Sequence, residues 1–251
     1  MDSQNIEQAA ALLVQARRTM QHVSGLPETC RPTGVAEAHA IQDATTVALG
    51  KRVGAFKATN PPNGEPTRGL IYADTIHPTP ATIPAVSVPA CGVEGEVAFI
   101  FRHDLPPRPQ PYARDEVAAV VDALAAIEVV DSRYSDRTKV SNLENLADSV
   151  SNGAFVHAAP LPDWRGLELG RLRVTLTVNG ATVLSREGGH PTGDPLGVAV
   201  ALVNMMRDQD GVQAGQFVTC GTFTGLRFLK PGDACDVTFD GLGAVRVTFV
   251  H

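Results

Sequence analysis

The sequence predicts a mixed α+β fold, on three observations. Segments with helical periodicity gather toward the N-terminus, strand-like segments crowd the C-terminal part, and the regular strand and helix alternation of a doubly wound sheet is missing. The 251 residues are 43% hydrophobic and 19% charged, a composition able to bury a core, and an aromatic share of 5% leaves Ala, Val and Leu to build it. No repeat, low-complexity tract or linker divides the chain, so one domain over 1–251 is expected. Within it, 1–75 is expected to form a helical part that also carries the strand of Lys57, and 76–251 a β-rich part.

Each element has its own signal. Ile6, Ala9, Ala10, Leu13 and Ala16 recur at helical spacing in Ile6–Met20, with Ser3 or Asn5 as the cap. A second helix is expected at Gly34–Ala48, and the alternation in KRVGAFKAT after it suits a strand with Val53, Ala55 and Lys57 on one face. The Pro- and Gly-rich run Asn60–Arg68 reads as a loop able to act as a lid, and the following GLIYAD ends in Asp74. Pro78, Pro80, Pro84 and Pro89 then impose extended or irregular backbone before the strong strand VEGEVAFIF. Arg114–Ala126 reads as an apolar-faced helix running into another strand, IEVVDSRY. Asn179-Gly180, between Leu172–Val178 and Thr182–Leu184, signals a tight hairpin. A helix at Pro195–Met206 precedes strands at Gln216–Cys220, Ala234–Phe239 and Ala244–Val250, parted by Pro- and Gly-containing turns.

Several function classes drop out. The formal charge is 21 − 27 = −6, which argues against a phosphate-backbone partner. The N-terminal segment lacks the basic start and apolar run of a signal peptide, and no stretch is long and apolar enough for a membrane span. Cys30, Cys91, Cys220 and Cys235 show no paired spacing and read as buried reduced thiols, which fits a cytoplasmic location. There is no GxSxG elbow, P-loop or dinucleotide fingerprint, and no histidine has a motif partner, His39 and His190 included.

The informative residues are acidic. Glu94 and Glu96 lie two apart in VEGEVAFIF, so they project from one face with Cα atoms roughly 6.5 Å apart, while Val93, Val97, Phe99 and Phe101 take the other. Two carboxylates on an apolar strand repel each other and resist desolvation. Either the face is wet, or a hard divalent cation offsets the charge; oxygen-only ligation suits Mg²⁺ or Mn²⁺ better than zinc. Glu128 is a third acid embedded in an apolar β-like run, with Asp131 beyond it as a strand-end cap or a partner for Arg133. Lys57 is one of only four lysines and stands among small apolar neighbours.

Six segments in order, VGAFKATN, VEGEVAFIFRHDLP, AIEVVDSRY, LADSVSNGAFV, TGDPLGVAVALVN and GTFTGLRFLKPGD, resemble the 2-oxopent-4-enoate hydratase and 4-oxalocrotonate decarboxylase branch of the fumarylacetoacetate hydrolase superfamily. The resemblance spans nearly the whole chain and implies a mixed β-sheet roll with an N-terminal helical part. It implies that Glu94, Glu96 and Glu128 bind Mg²⁺ or Mn²⁺, that Lys57 and Asp74 are catalytic, and that Asp148, Ser151 and Thr222 bind substrate. Ser149 and Asn152 depart from that family's asparagine and serine, and the loop after Lys57 lacks its glutamine. The implied activity is metal-dependent hydration of 2-hydroxypenta-2,4-dienoate, or decarboxylation of 4-oxalocrotonate through the same enolate. Acylpyruvate hydrolysis is disfavoured because the hydrolases' aspartate motif and KxFD segment are missing, and a non-catalytic subunit of a hydratase and decarboxylase complex is a further alternative. The implied partners are a small 2-oxo or 2-hydroxy-dienoic acid and further copies of the chain, alone or with a homologous enzyme.

Overall fold

The computed structural model describes all residues, 1–251. The helices are α1 (Ser3–Thr19), α2 (Val35–Leu49), α3 (Arg114–Ala119), α4 (Asn142–Ala147) and α5 (Pro195–Met206). The early strands are β1 (Val53–Thr59), β2 (Thr67–Tyr72), β3 (Ile76–Pro78), β4 (Ala81–Pro84), β5 (Gly92–Phe101), β6 (Val121–Val130) and β7 (Asn152–His157). The later ones are β8 (Arg173–Val178), β9 (Ala181–Glu187), β10 (Phe217–Thr222), β11 (Arg227–Phe228), β12 (Ala234–Phe239) and β13 (Gly243–Val250).

An eight-stranded sheet runs β2-β1-β10-β5-β6-β7-β3, with β11 pairing β5, and a five-stranded sheet runs β4-β13-β12-β8-β9. Pairing is mostly antiparallel, with parallel pairs at β1/β10, β3/β7 and β4/β13. Although β2 and β7 stand far apart in strand order, they touch, so the larger sheet curls into the expected roll. Its outer face, with Phe56, Val97, Phe99, Val218 and Ile127, packs against α5 and the second sheet in the main core. Its inner face closes on a small cluster of Ala55, Ile71, Ala98, Leu124, Ala126, Phe155 and Phe217. Helices α1, α2 and α4 form a third layer around Leu13, Leu26 and Ile41 and cover β2.

Two local expectations are corrected. The cap of α1 is Asp2, whose side chain accepts from the Asn5 amide at 2.8 Å, rather than Ser3 or Asn5. The helix expected over Arg114–Ala126 stops at Ala119, and Val121 onward is β6. The reason is burial on both faces: Val121, Ala123 and Ala125 enter the main core while Leu124 and Ala126 enter the inner cluster. A strand apolar on both sides carries no period-2 signature and reads like a buried helix. The strands β1 and β2 belong to the main sheet, so the 1–75 part is helical only as far as α2.

Candidate metal centre

Sheet register builds the site. In the β5/β6 pair Glu94 stands opposite Glu128 and Glu96 opposite Ala126, so all three glutamates project into the same end of the roll. One carboxylate oxygen from each lies within 4.8 Å of the others. Val93, Val97, Phe99 and Phe101 take the outer face, as the spacing predicts. Glu96 is 3% exposed, Glu128 fully buried and Glu94 half-buried, so the wet-face alternative does not hold.

Few protein groups answer this charge. Glu96 Oε2 accepts from the Gly221 amide at 2.9 Å, and Glu128 Oε1 pairs with Lys57 Nζ at 2.5 Å. Asn152 Nδ2 approaches Glu128 Oε1 at 3.5 Å, while the buried Glu128 Oε2 has no protein hydrogen-bond partner. Burial, followed by the charges of Glu128 and Glu94, pushes the Glu96 carboxyl well above the usual carboxylate range. Burial also raises Glu128, against the opposing pull of Lys57. Three converging carboxylates, one with an orphaned oxygen, and no thiol or imidazole among them form a donor set that fits a hard divalent cation.

Lys57 reaches this place from β1. Its ammonium, on a side chain 12% exposed, also donates to the Val150 carbonyl at 2.8 Å. Register puts Thr219 of β10 beside Lys57 and opposite Ala98, hence on the face that carries Glu96. The Thr219 hydroxyl is buried and unpartnered, as is that of Ser151. Thr219 and Asn152 stand in or beside segments that carry the family resemblance, Asn152 as a departure from its serine, yet the sequence does not single either out as a site residue, because only the β1/β10 and β6/β7 registers bring them to the cluster.

Other expected residues fall elsewhere. Asp74 follows the end of β2, where Tyr72 pairs with Val53, so it stands roughly 13 Å or more along β1 from Lys57. There it is exposed, ion-paired with Lys51, and lines a cleft of about 320 Å³ with Arg17 and Tyr72. Asp148 is 1% exposed and holds Arg133 through Nε at 2.5 Å, so its oxygens are engaged within the protein rather than presented to a substrate. Thr222 is opposite Glu96, but its hydroxyl accepts from the Thr224 and Gly225 amides at 3.2 and 3.0 Å and caps the next turn. Of the loop expected over Asn60–Arg68, residues 60–66 form the tip of the β1/β2 hairpin, at the end of the strands that carries the glutamates, whereas Thr67 and the buried Arg68 already belong to β2.

Comparison with known proteins agrees with this architecture. Residues 43–250 match the family described as fumarylacetoacetate (FAA) hydrolase C-terminal. The chain is 30% identical over 261 residues to 2-keto-4-pentenoate hydratase of Paraburkholderia xenovorans, covering 99% of this chain and 96% of that one. It is 29% identical over 159 residues to 4-oxalocrotonate decarboxylase of Pseudomonas putida, covering 63% of this chain and 60% of that one. Among solved structures, 4-oxalocrotonate decarboxylase from Pseudomonas putida, complexed with magnesium and adipate, superposes with a TM-score of 0.86 at 20% identity, covering 100% of this chain and 99% of that one.

Proposed function

We propose an activity for this chain on the premise that it belongs to the fumarylacetoacetate hydrolase C-terminal family: it is a divalent-metal-dependent lyase of short 2-hydroxy-dienoate and 2-oxo-enoate acids. Its reaction is hydration of 2-hydroxypenta-2,4-dienoate to 4-hydroxy-2-oxopentanoate. The observation that carries this reading is the buried convergence of Glu94, Glu96 and Glu128 with Lys57 paired to the deepest of them. Sequence similarity at 30% identity over 99% of this chain to 2-keto-4-pentenoate hydratase supports water addition as the first reading, and the superposition of the decarboxylase over the whole chain keeps loss of carbon dioxide as its alternative.

Glu94, Glu96 and Glu128 would hold Mg²⁺ or Mn²⁺, which would supply Lewis acidity toward developing enolate charge. Lys57 brings a cation to the substrate side of the cluster and offsets carboxylate or enolate charge. Protonation of the dienol at C5 gives a conjugated 2-oxo acid, and water then adds hydroxyl at C4 and a proton at C3. In this reading Lys57 handles these protons, and the distance of Asp74 along the strand register together with its pairing to Lys51 supports leaving Asp74 out of them. Thr219 and Ser151, with unpartnered buried hydroxyls, are available to bind the acid. A small-acid substrate, self-association of the chain, alone or with a homologous hydratase or decarboxylase, and a cytoplasmic location belong to the same proposal; no helix is long and apolar enough to cross a membrane.

The test is to supply 2-hydroxypenta-2,4-dienoate and 4-oxalocrotonate separately with Mg²⁺ or Mn²⁺. Loss of ultraviolet absorbance from the first without carbon dioxide is the expected result. Carbon dioxide released from the second, with no conversion of the first, would reassign the chain as a decarboxylase, and turnover of neither would end the assignment.

A further inference from the structure

We infer that the buried pair Arg133–Asp148 is a positioning device for Lys57, acting through the left-handed turn Ser149–Val150–Ser151. The inference deepens the reading of Lys57 proposed above and rests on it for its catalytic consequence.

The turn is unusual in its backbone. Ser149, Val150 and Ser151 have φ of 51°, 53° and 59°, three consecutive non-glycine residues in the left-handed region. A β-branched valine there is an outlier, because its Cβ crowds the following carbonyl. Such conformations persist only where the surroundings over-determine them, and they cluster at functional sites.

Arg133 supplies that constraint from both sides. Its Nε donates to Asp148 Oδ1 at 2.5 Å and one terminal nitrogen to the Asp148 carbonyl at 3.1 Å, just before the turn. The other terminal nitrogen donates to the Asn152 carbonyl at 2.9 Å, just after it. The second Asp148 oxygen accepts the Arg133 amide at 3.0 Å, and Arg17 of α1 approaches Oδ1 at 3.4 Å. The Ser151 carbonyl accepts from the Asp131 amide at 2.8 Å. On the far side the turn presses on β2: a Cβ at Gly69 would lie 2.8 Å from the Ser149 carbonyl oxygen, and Gly69 is the register partner of Lys57.

What emerges from the turn is the Val150 carbonyl, which takes a hydrogen bond from the Lys57 ammonium at 2.8 Å. The lysine is therefore fixed between two acceptors, this carbonyl and Glu128. Buried ion pairs add little net stability compared with apolar packing of similar volume, so the geometry they impose is the better account of this one. Arg133 and Asp148 touch neither the glutamates nor the ammonium directly; they act through the turn.

The test measures Lys57 itself. Acetylation of the metal-free full chain, read by mass spectrometry, compares Lys57 with Lys139, whose side chain is 79% exposed. In the unaltered protein Lys57 is expected to react much more slowly than Lys139. Arg133→Lys keeps the charge but cannot reach both sides of the turn, so Lys57 labelling should rise severalfold with Lys139 unchanged. Its kcat should fall about tenfold to a hundredfold, as displaced catalytic groups do, with KM and calorimetric Mg²⁺ affinity within about twofold. Asp148→Asn serves as the second variant should Arg133→Lys not fold. Val150→Gly keeps the pair and removes the backbone strain, and Lys57 labelling should remain slow. A folded Arg133→Lys or Asp148→Asn chain with unaltered Lys57 labelling would overturn the inference. If the unaltered protein converts neither acid, the reading of its function falls, while the labelling still decides whether the pair positions Lys57.

Discussion

The two ends of the roll's interior are built from the same strands and behave in opposite ways. At one end β1, β10, β5 and β6 supply Ala55, Phe217, Ala98 and Leu124, a cluster in which Phe155 and Phe217 pack with ring centres 5.6 Å apart. A two-residue step along β1, β10 and β5 brings Lys57, Thr219 and Glu96, and Glu128 stands four residues beyond Leu124 on β6. The first end satisfies itself by packing; the second gathers like charges and leaves Glu128 Oε2, Thr219 and Ser151 unpartnered. The lesson is that one β scaffold provides both, with apolar packing at one end and unsatisfied polar groups at the other. Substitutions can separate them.

The largest expected effect comes from removing charge at the frustrated end. Glu94→Gln/Glu96→Gln should abolish calorimetric metal binding and lower turnover on the order of 10³-fold, the loss of several kcal/mol of electrostatic stabilisation. The metal-free variant should melt at or above the unaltered chain at pH 8, since a buried repulsion is gone. Equal metal affinity would remove the metal centre. At the packed end, Leu124→Ala should cost about 2–5 kcal/mol in urea unfolding by opening a cavity, with metal affinity little altered. A collapse of metal binding there would show that the two ends are not separable.

Metal itself should bridge the contrast. A free concentration of about 100 Kd stabilises the fold by about 2.7 kcal/mol, which for a chain of this size raises Tm by roughly 5–10 °C. The sign of its pH dependence follows from the raised carboxyls of Glu96 and Glu128. Folded, metal-free protein binds more protons than unfolded chain between the ordinary carboxylate range and the raised values, so its stability falls as pH rises through that window. Metal displaces those protons, so the Mg²⁺-induced rise in Tm should be greater at pH 8 than at pH 6. Calorimetry in buffers of different ionisation enthalpy should register proton release. The smallest effect is expected outside both ends: Asp74→Asn, in its exposed pair with Lys51, should leave kcat within about twofold. A tenfold loss would return Asp74 to the reaction.

The same contrast explains what the sequence could express. Glu94 and Glu96 were legible because β5 alternates cleanly, with apolar residues filling the opposite face. Glu128 was legible only as an acid in an apolar run, and the adjoining helix reading ran into β6 because both of its faces are buried. Lys57 stood out by rarity and context. Asp74, Asp148 and Thr222 kept the residue types of a family motif, but Thr222 closes a turn with the neighbouring Thr224 and Gly225 amides, and where the oxygens of Asp74 and Asp148 are engaged depends on partners farther along the chain. Asp148 meets Arg17 across 131 positions, and no local pattern reports that. The left-handed turn was hidden for the same reason: Ser-Val-Ser has no intrinsic preference for positive φ, and tertiary contacts impose it.

Placing Glu94 directly opposite Glu128 has a consequence for motion. Like charges at opposed positions weaken strand pairing locally, and here they fall near the end of the β5/β6 ladder, where Gly92 pairs with Val130, rather than at its middle. The metal-free sheet should therefore fray from that end, and backbone amides of Val93–Gly95 should exchange hydrogen faster than those of Val97–Phe99. Saturating Mg²⁺ should slow the first group and leave the second unchanged. The loosened end is also the one flanked by the β1/β2 hairpin tip, so the repulsion between the opposed glutamates falls where the sheet borders an exposed turn.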